Sequence, residues 1–137
     1  LLILASLAFY AGKLLFQLRQ QTLKQQRARA NRIANIVESI ETIAHAVQQQ
    51  QCNLSEGAIR LVNLLESLPV ENPPKCVDDY PALYELFSFV RELPTHKQRA
   101  ELPPKVRREQ DSAREEHEAR LESRILQEVA SLRSFKV

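Results

Sequence analysis

Ile33–Val47, read as IANIVESIETIAHAV, decides the fold. Ile33, Ile36, Val37, Ile40, Ile43, Ala44 and Val47 recur at spacings of three and four, which places all seven on one face of an α-helix. A helix with such a stripe buries it against other elements, so the core of a helical domain begins here. No proline or glycine lies between Gly12 and Gly57, and the spacing predicts one unbroken helix from the N-terminus to about Gln50. The run Gln48–Gln51 reads as a fraying helix end.

Upstream the character changes twice. Residues 19–32, RQQTLKQQRARANR, are almost wholly polar, with Leu23 the one large apolar side chain. Such a helix is a solvated stalk, or a strip lying on something polar. Residues 1–18, LLILASLAFYAGKLLFQL, carry one charged side chain, Lys13. Twelve uncharged residues form about 18 Å of helix and eighteen form about 27 Å, against roughly 30 Å of bilayer hydrocarbon. The first residue is not methionine, and further apolar residues are expected before it. Residues 1–18 therefore read as a membrane anchor, with Leu1, Leu2, Ile3, Leu4, Leu7, Phe9, Leu14, Leu15 and Leu18 facing lipid and Lys13 snorkelling. The alternative is a hydrophobic helix end buried in an oligomer. A cleaved signal peptide fits poorly, since no small-residue cleavage site ends the apolar run.

Charge sets the expected orientation. Six basic residues (Lys13, Arg19, Lys24, Arg27, Arg29 and Arg32) and no acidic ones precede Glu38. Positive charge beside a single apolar segment stays on the cytoplasmic side, which predicts a single-pass membrane protein with a cytoplasmic C-terminal domain. Residues 38–101 carry five basic and ten acidic groups, and 102–137 carry eight and seven, so the chain's net +2 hides a basic neck and an acidic middle. The neck suits anionic headgroups, each charge contributing about 1 kcal/mol near the surface.

Two glycines, no tryptophan and abundant Gln, Glu, Arg, Leu and Ala favour helix, and nothing alternates with period two for long enough to form a strand. The expectation is all-α: an anchor over 1–18, a stalk over 19–32 and a bundle of about four helices over 33–134, with loops near 69–80 and 94–103. In the second helix Ser55 is placed as N-cap, Ile59, Val62, Leu65, Leu61 and Leu68 form the stripe, and Pro69 ends it. Residues 69–81, PVENPPKCVDDYP, read as a loop without regular structure. A third helix is expected from Pro81 to Leu93 with Leu83, Leu86, Phe87 and Val90 inward, and Asp78 and Asp79 complementing its dipole. The last runs from Pro103 or Pro104 to about Ser134. Between Lys105 and Arg120 only Val106 is large and apolar, so that half reads as a solvated helix held by pairs such as Glu116–Arg120, before Leu121, Ile125, Val129 and Leu132 restore a stripe. Lys105, Arg107, Arg108 and Arg114 are its candidate partner contacts.

The stretch Ala30–Leu68, with Arg32, Ile33, Asn35, Ile36, Glu38, Ser39 and Ile40 followed by Cys52, Leu54, Ser55, Glu56, Gly57, Ile59 and Arg60, resembles the bacterial domain-of-unknown-function family numbered 2489. The resemblance implies a single-pass protein of the bacterial inner membrane, with an N-terminal membrane segment, a basic neck and a short helical domain. It implies no activity.

Few residues suit chemistry. Cys52, Cys76, His45, His96 and His117 form no C-x-x-C, H-E-x-x-H or C-x-x-C-H pattern, and His45, Cys52, Cys76 and His96 converge as a zinc site only by tertiary accident. Cys52, near a helix N-terminus, invites a redox reading, though a small buried apolar role is the ordinary one. No glycine-rich phosphate loop is present. No catalytic residue, metal or cofactor is expected. The favoured function is a non-enzymatic interaction module, an adaptor or accessory subunit whose partners are membrane lipid and another protein or a second copy. The alternatives are a ribosome or RNA tether through the basic stalk, which lacks interleaved aromatics, and a Cys/His carrier of a metal or small ligand.

Overall fold

The computed structural model describes residues 1–137 as six α-helices and a closing 3₁₀ turn, with no strand. The protein is all-α. Helix α1 spans Leu2–Gln48, α2 Leu54–Glu66, α3 Cys76–Asp79, α4 Pro81–Val90, α5 His96–Ala100 and α6 Pro104–Ala130, and Ser131–Ser134 form the turn. The chain divides into two compact units, Leu1–Asn35 and Ile36–Val137.

The first unit is helical from Leu2 onward. Its apolar side chains have no protein to pack against: Leu2, Ile3, Leu4, Leu7, Phe9, Leu15, Phe16 and Leu18 are all exposed. The hydroxyls within and just after the apolar run are satisfied by the helix itself. Ser6 Oγ donates to the Leu2 carbonyl at 2.8 Å and Thr22 Oγ1 to that of Leu18 at 3.0 Å, so neither needs water.

The second unit is a helical bundle organised on α4. Ala82, Leu83, Leu86, Phe87 and Val90 of α4 are buried, and the helix packs against both α2 and α6. Its neighbours contribute Ala58, Leu61, Val62 and Leu65 from α2, and Leu121, Ile125 and Val129 from α6. Ile40, Ala44 and Val47, from the end of α1, complete the core with Leu68, Cys76 and Leu132. The expected stripe on the first helix is thus the buried face, fully covered at these three positions and partly covered at Ile36, Val37 and Ile43. In α2, Ala58 takes the covered place expected of Ile59, which is only partly buried.

Several local expectations need correction. The end of α1 does not fray: Gln50 adopts the left-handed region at φ 57°, its N–H donates to the Val47 carbonyl at 3.1 Å, and Gln51 N–H donates to Ala46 at 2.9 Å. This is a Schellman closure, in which orphan carbonyls find donors beyond the last turn. The cap of α2 is Asn53, whose side chain accepts from Ser55 N–H at 2.9 Å, so Ser55 lies inside the helix. Residues 69–81 are not wholly irregular. The prolines end at Pro74, which frees Cys76–Asp79 to make one helical turn, closed by Asp79 Oδ2 accepting from Lys75 N–H at 3.1 Å. Asp79 therefore caps α3 rather than the helix at Pro81. That helix, α4, is capped from across the bundle, where both carboxylate oxygens of Glu128 accept from Ala82 N–H at 2.9 and 3.0 Å.

The first half of α6 is no free arm. Asp111 pairs with Arg99 of α5 at 2.6 Å, Ser55 of α2 donates to Glu118, and the His117 ring stacks on Phe89 of α4 with centroids 3.9 Å apart. Arg120 pairs with Glu85 of α4 at 2.9 Å, in place of the expected Glu116. These contacts are polar or aromatic, so they leave no aliphatic stripe in the sequence.

Candidate functional site

In Leu1–Asn35 the anchor residues and the basic residues are all exposed. Leu2–Gln48 contains a segment long and apolar enough to cross a membrane, none of it buried inside the protein; a signal sequence near an N-terminus has the same character. The basic residues form no single strip. At 100° per residue Lys24 and Arg27 share one flank, and Arg29 and Arg32 lie about 140° around the helix. Cations thus lie on every side of the helix.

On Ile36–Val137 two grooves stand out. The first, about 490 Å³, lies among the start of α2, the end of α4, α5 and α6. Ile59, Val90, Leu93 and Pro94 line its apolar side, and Arg60, Arg99 and Arg114 its polar rim. Each guanidinium faces an acid: Arg60 with Glu56 at 2.5 Å, Arg99 with Asp111 at 2.6 Å and Arg114 with Glu118 at 3.6 Å. The hydrogen bond from Arg99 holds the Asp111 carboxyl below the usual carboxylate range, so Asp111 is an ionised partner rather than a proton donor. His96 enters the same groove at φ 51°, a strained position for a non-glycine residue.

The second groove, about 390 Å³, lies on the proline-rich connection. Pro73, Pro74, Val77 and Tyr84 form its apolar surface, with Glu66, Glu71 and Lys75 as its charged lining. Sequence reading marks residues 69–81 as an irregular loop and a contact surface but does not find the groove, because Val77 is turned outward only by the one-turn helix that buries Cys76 beside it.

The four partner-contact candidates on α6 do not make one surface. Lys105 and Arg108 are exposed, whereas Arg107 and Arg114 are partly buried. The Nε atoms of Arg107 and Arg114 are buried without a hydrogen-bond acceptor, since 3.6 Å from Arg114 Nε to Glu118 is an ion-pair distance only. Arg114 belongs to the wall of the first groove.

The cysteines are both free. Cys76 is fully buried, and burial, followed by the nearby Glu66 and Asp79 carboxylates, pushes its thiol up to about 12. Cys52 is partly buried, and burial together with Glu56 raises its thiol above the ordinary value. Neither is an activated thiolate, so the redox reading of Cys52 loses its physical basis. No group of three or more His, Cys, Asp or Glu side chains is placed to hold a metal ion, so His45, Cys52, Cys76 and His96 do not converge.

Residues 4–132 match the family described as Protein of unknown function (DUF2489). The chain belongs to this family. The match to DUF2489 runs far beyond Ala30–Leu68, where the resemblance is most distinct, and takes in most of the apolar helix as well as the bundle. An uncharacterized protein of Haemophilus influenzae is similar to this chain, 40% identical over 129 residues that cover 94% of the chain and 85% of the relative. No solved structure matches.

Proposed function

We propose that this member of DUF2489 is a single-pass protein of the bacterial inner membrane whose helical bundle faces the cytoplasm and acts as an interaction module, an adaptor or accessory subunit without catalytic activity of its own. One observation carries the reading: in Leu1–Asn35 an apolar helix with no buried side chain in its first eighteen residues is followed by basic residues on all sides and no acidic ones. Exposed apolar surface of this extent is unstable in water and stable in lipid. The basic flank favours retention of the adjoining segment on the cytoplasmic side. The bundle supports the second half of the proposal. Its two grooves each set apolar side chains beside a charged rim, a mix that suits a protein partner.

Carbonate extraction, reporter fusions to the C-terminus and in-cell cross-linking with mass spectrometry test this reading. A protein that resists extraction, reports a cytoplasmic C-terminus and cross-links to a recurring partner supports it. Release by carbonate removes the anchor, and a protein that purifies alone and monomeric in mild detergent removes the adaptor role.

A further inference from the structure

The groove on the proline-rich connection differs from its neighbour in one physical respect. The first groove's guanidiniums are each matched by an acid, whereas the ion pairs of this unit engage Glu56, Glu85, Glu92, Asp111 and Glu118 and leave Glu66 and Glu71 unpaired; Lys75 is the one cation in the lining of this groove, which so holds two carboxylates and one ammonium. Beside these carboxylates lies apolar surface that a small bundle ordinarily covers. Val77 is 54% exposed, and apart from the terminal Val137 it is the one large aliphatic side chain of Ile36–Val137 left this open. The Glu66 carboxylate is felt beneath the floor as well, where it adds to burial in raising the Cys76 thiol.

We propose that this groove docks a cationic, partly apolar peptide segment of a partner protein, an aliphatic side chain packing on Val77 between Pro74 and Tyr84 while a flanking Lys or Arg pairs with Glu66 and Glu71. The assignment rests on the interaction-module reading and gives that reading a partner chemistry. Charge complementarity selects the sign of the partner, and the aliphatic floor selects for more than charge. The surface is also preorganised. Pro73 and Pro74 have fixed φ, Asp79 ties back the Lys75 N–H, and Cys76 anchors the turn in the core, so docking orders little that is not already ordered. A contact this small binds weakly and loses strength as salt rises.

The test uses the full chain in non-ionic detergent micelles and fluorescence anisotropy with three labelled twelve-residue peptides. One alternates Lys or Arg with Val or Leu, one keeps the basic residues but has serine for the aliphatic ones, and one keeps the aliphatic residues but has glutamate for the basic ones. The first should bind at least tenfold more tightly than either of the others. Val77→Asp should abolish the first peptide's advantage over the serine peptide, and Glu66→Gln with Glu71→Gln should weaken binding at least fivefold. All three positions are exposed, and circular dichroism melting confirms that the variants fold. An undiminished advantage of the first peptide over the serine peptide in Val77→Asp, or equal binding of these two peptides by wild type, overturns the proposal. A wild-type dimer that Val77→Asp converts to monomer also overturns it, because the occupant is then a second copy. Absence of peptide binding while a partner still cross-links elsewhere defeats the groove assignment alone. Selective peptide binding without any copurifying protein supports the groove and defeats the adaptor reading.

Discussion

Cγ2 of Val47, at the end of α1, occupies the space in which Gly57 of α2 carries no side chain, and a Cβ built on Gly57 would collide with it. Glycine is tolerated in mid-helix here because the two helices meet with side chain directly against backbone. Gly57→Ala would improve helix propensity by about 1 kcal/mol. The collision should outweigh this gain and leave a net loss of about 1–3 kcal/mol. Urea unfolding of Gly57→Ala, alone and with Val47→Ala, measures the effect. The double variant should recover part of the loss, and a Gly57→Ala protein more stable than wild type would show that the contact is not formed.

Gln50 offers the opposite case, a site where glycine should help. Its left-handed φ of 57° carries the Schellman closure of α1, and a Cβ there costs about 1–2 kcal/mol. Part of that cost returns as unfolded-state entropy when glycine is introduced, so Gln50→Gly should stabilise by about 0.5–1 kcal/mol. A lowered Tm would indicate that the helix end is not closed in this way.

Ile40 is completely buried within Ile36–Val137. Ile40→Asp places a carboxylate in the core with no designed partner, and the bundle should lose its cooperative thermal transition. Ile40→Ala should retain it, weakened by about 2–5 kcal/mol. Both should fractionate with membranes as wild type does, since neither touches residues 1–18. A normal transition in Ile40→Asp would mean the core is misplaced.

The core helices are legible in the sequence because their stripes are aliphatic and periodic. Ile40, Ala44 and Val47, the α4 set from Leu83 to Val90, and Leu121, Ile125, Val129 and Leu132 all announce themselves by spacing. What escapes is held by other physics. The α2 cap falls to Asn53 rather than Ser55, two good caps lying two residues apart, and the choice is made in space because Glu118 draws the Ser55 hydroxyl. The first half of α6 packs through Arg120–Glu85, Arg99–Asp111 and the Phe89–His117 stack, contacts between residues distant in sequence that follow no period. The second groove is hidden for the same reason: Val77 looks like any loop valine until Cys76 goes inward. The family match adds length to the resemblance in Ala30–Leu68, but its description carries no activity to either groove.

Glu128 and Glu85 should make stability depend on pH in opposite senses. Burial raises the Glu128 carboxyl above its ordinary value despite the hydrogen bonds from Ala82 and Leu83, while the hydrogen bond from Arg120 lowers that of Glu85. A raised folded pKa gives a contribution present below the unfolded value, about 4.3, and lost as pH rises through the folded one. A lowered pKa gives a contribution present above about 4.3 and lost as pH falls through the folded value. The Tm of Glu128→Gln relative to wild type should therefore rise as pH increases above about 4.3, and that of Glu85→Gln should fall as pH increases toward about 4.3. Parallel trends in the two variants would contradict this assignment.

Ser55 and Glu118 decide whether α6 lies along the bundle or projects from it. Ser55 is 6% exposed, and its hydroxyl donates to a Glu118 carboxylate that also faces Arg114. Ser55→Ala leaves that carboxylate with the longer ion pair alone and should cost about 1–3 kcal/mol. Glu118→Ala strips the acceptor from a buried hydroxyl and should cost a similar amount. If the two groups meet, the double variant costs less than the sum of the singles, with a coupling of about 1–2 kcal/mol in a double-mutant cycle. A projecting helix separates the groups, and its cycle closes with no coupling. The sequence pattern between Lys105 and Arg120 fits either arrangement, since charges of both signs serve a solvated helix as well as a polar seam. Measured coupling would identify the seam, and zero coupling would return this helix to the role of an arm.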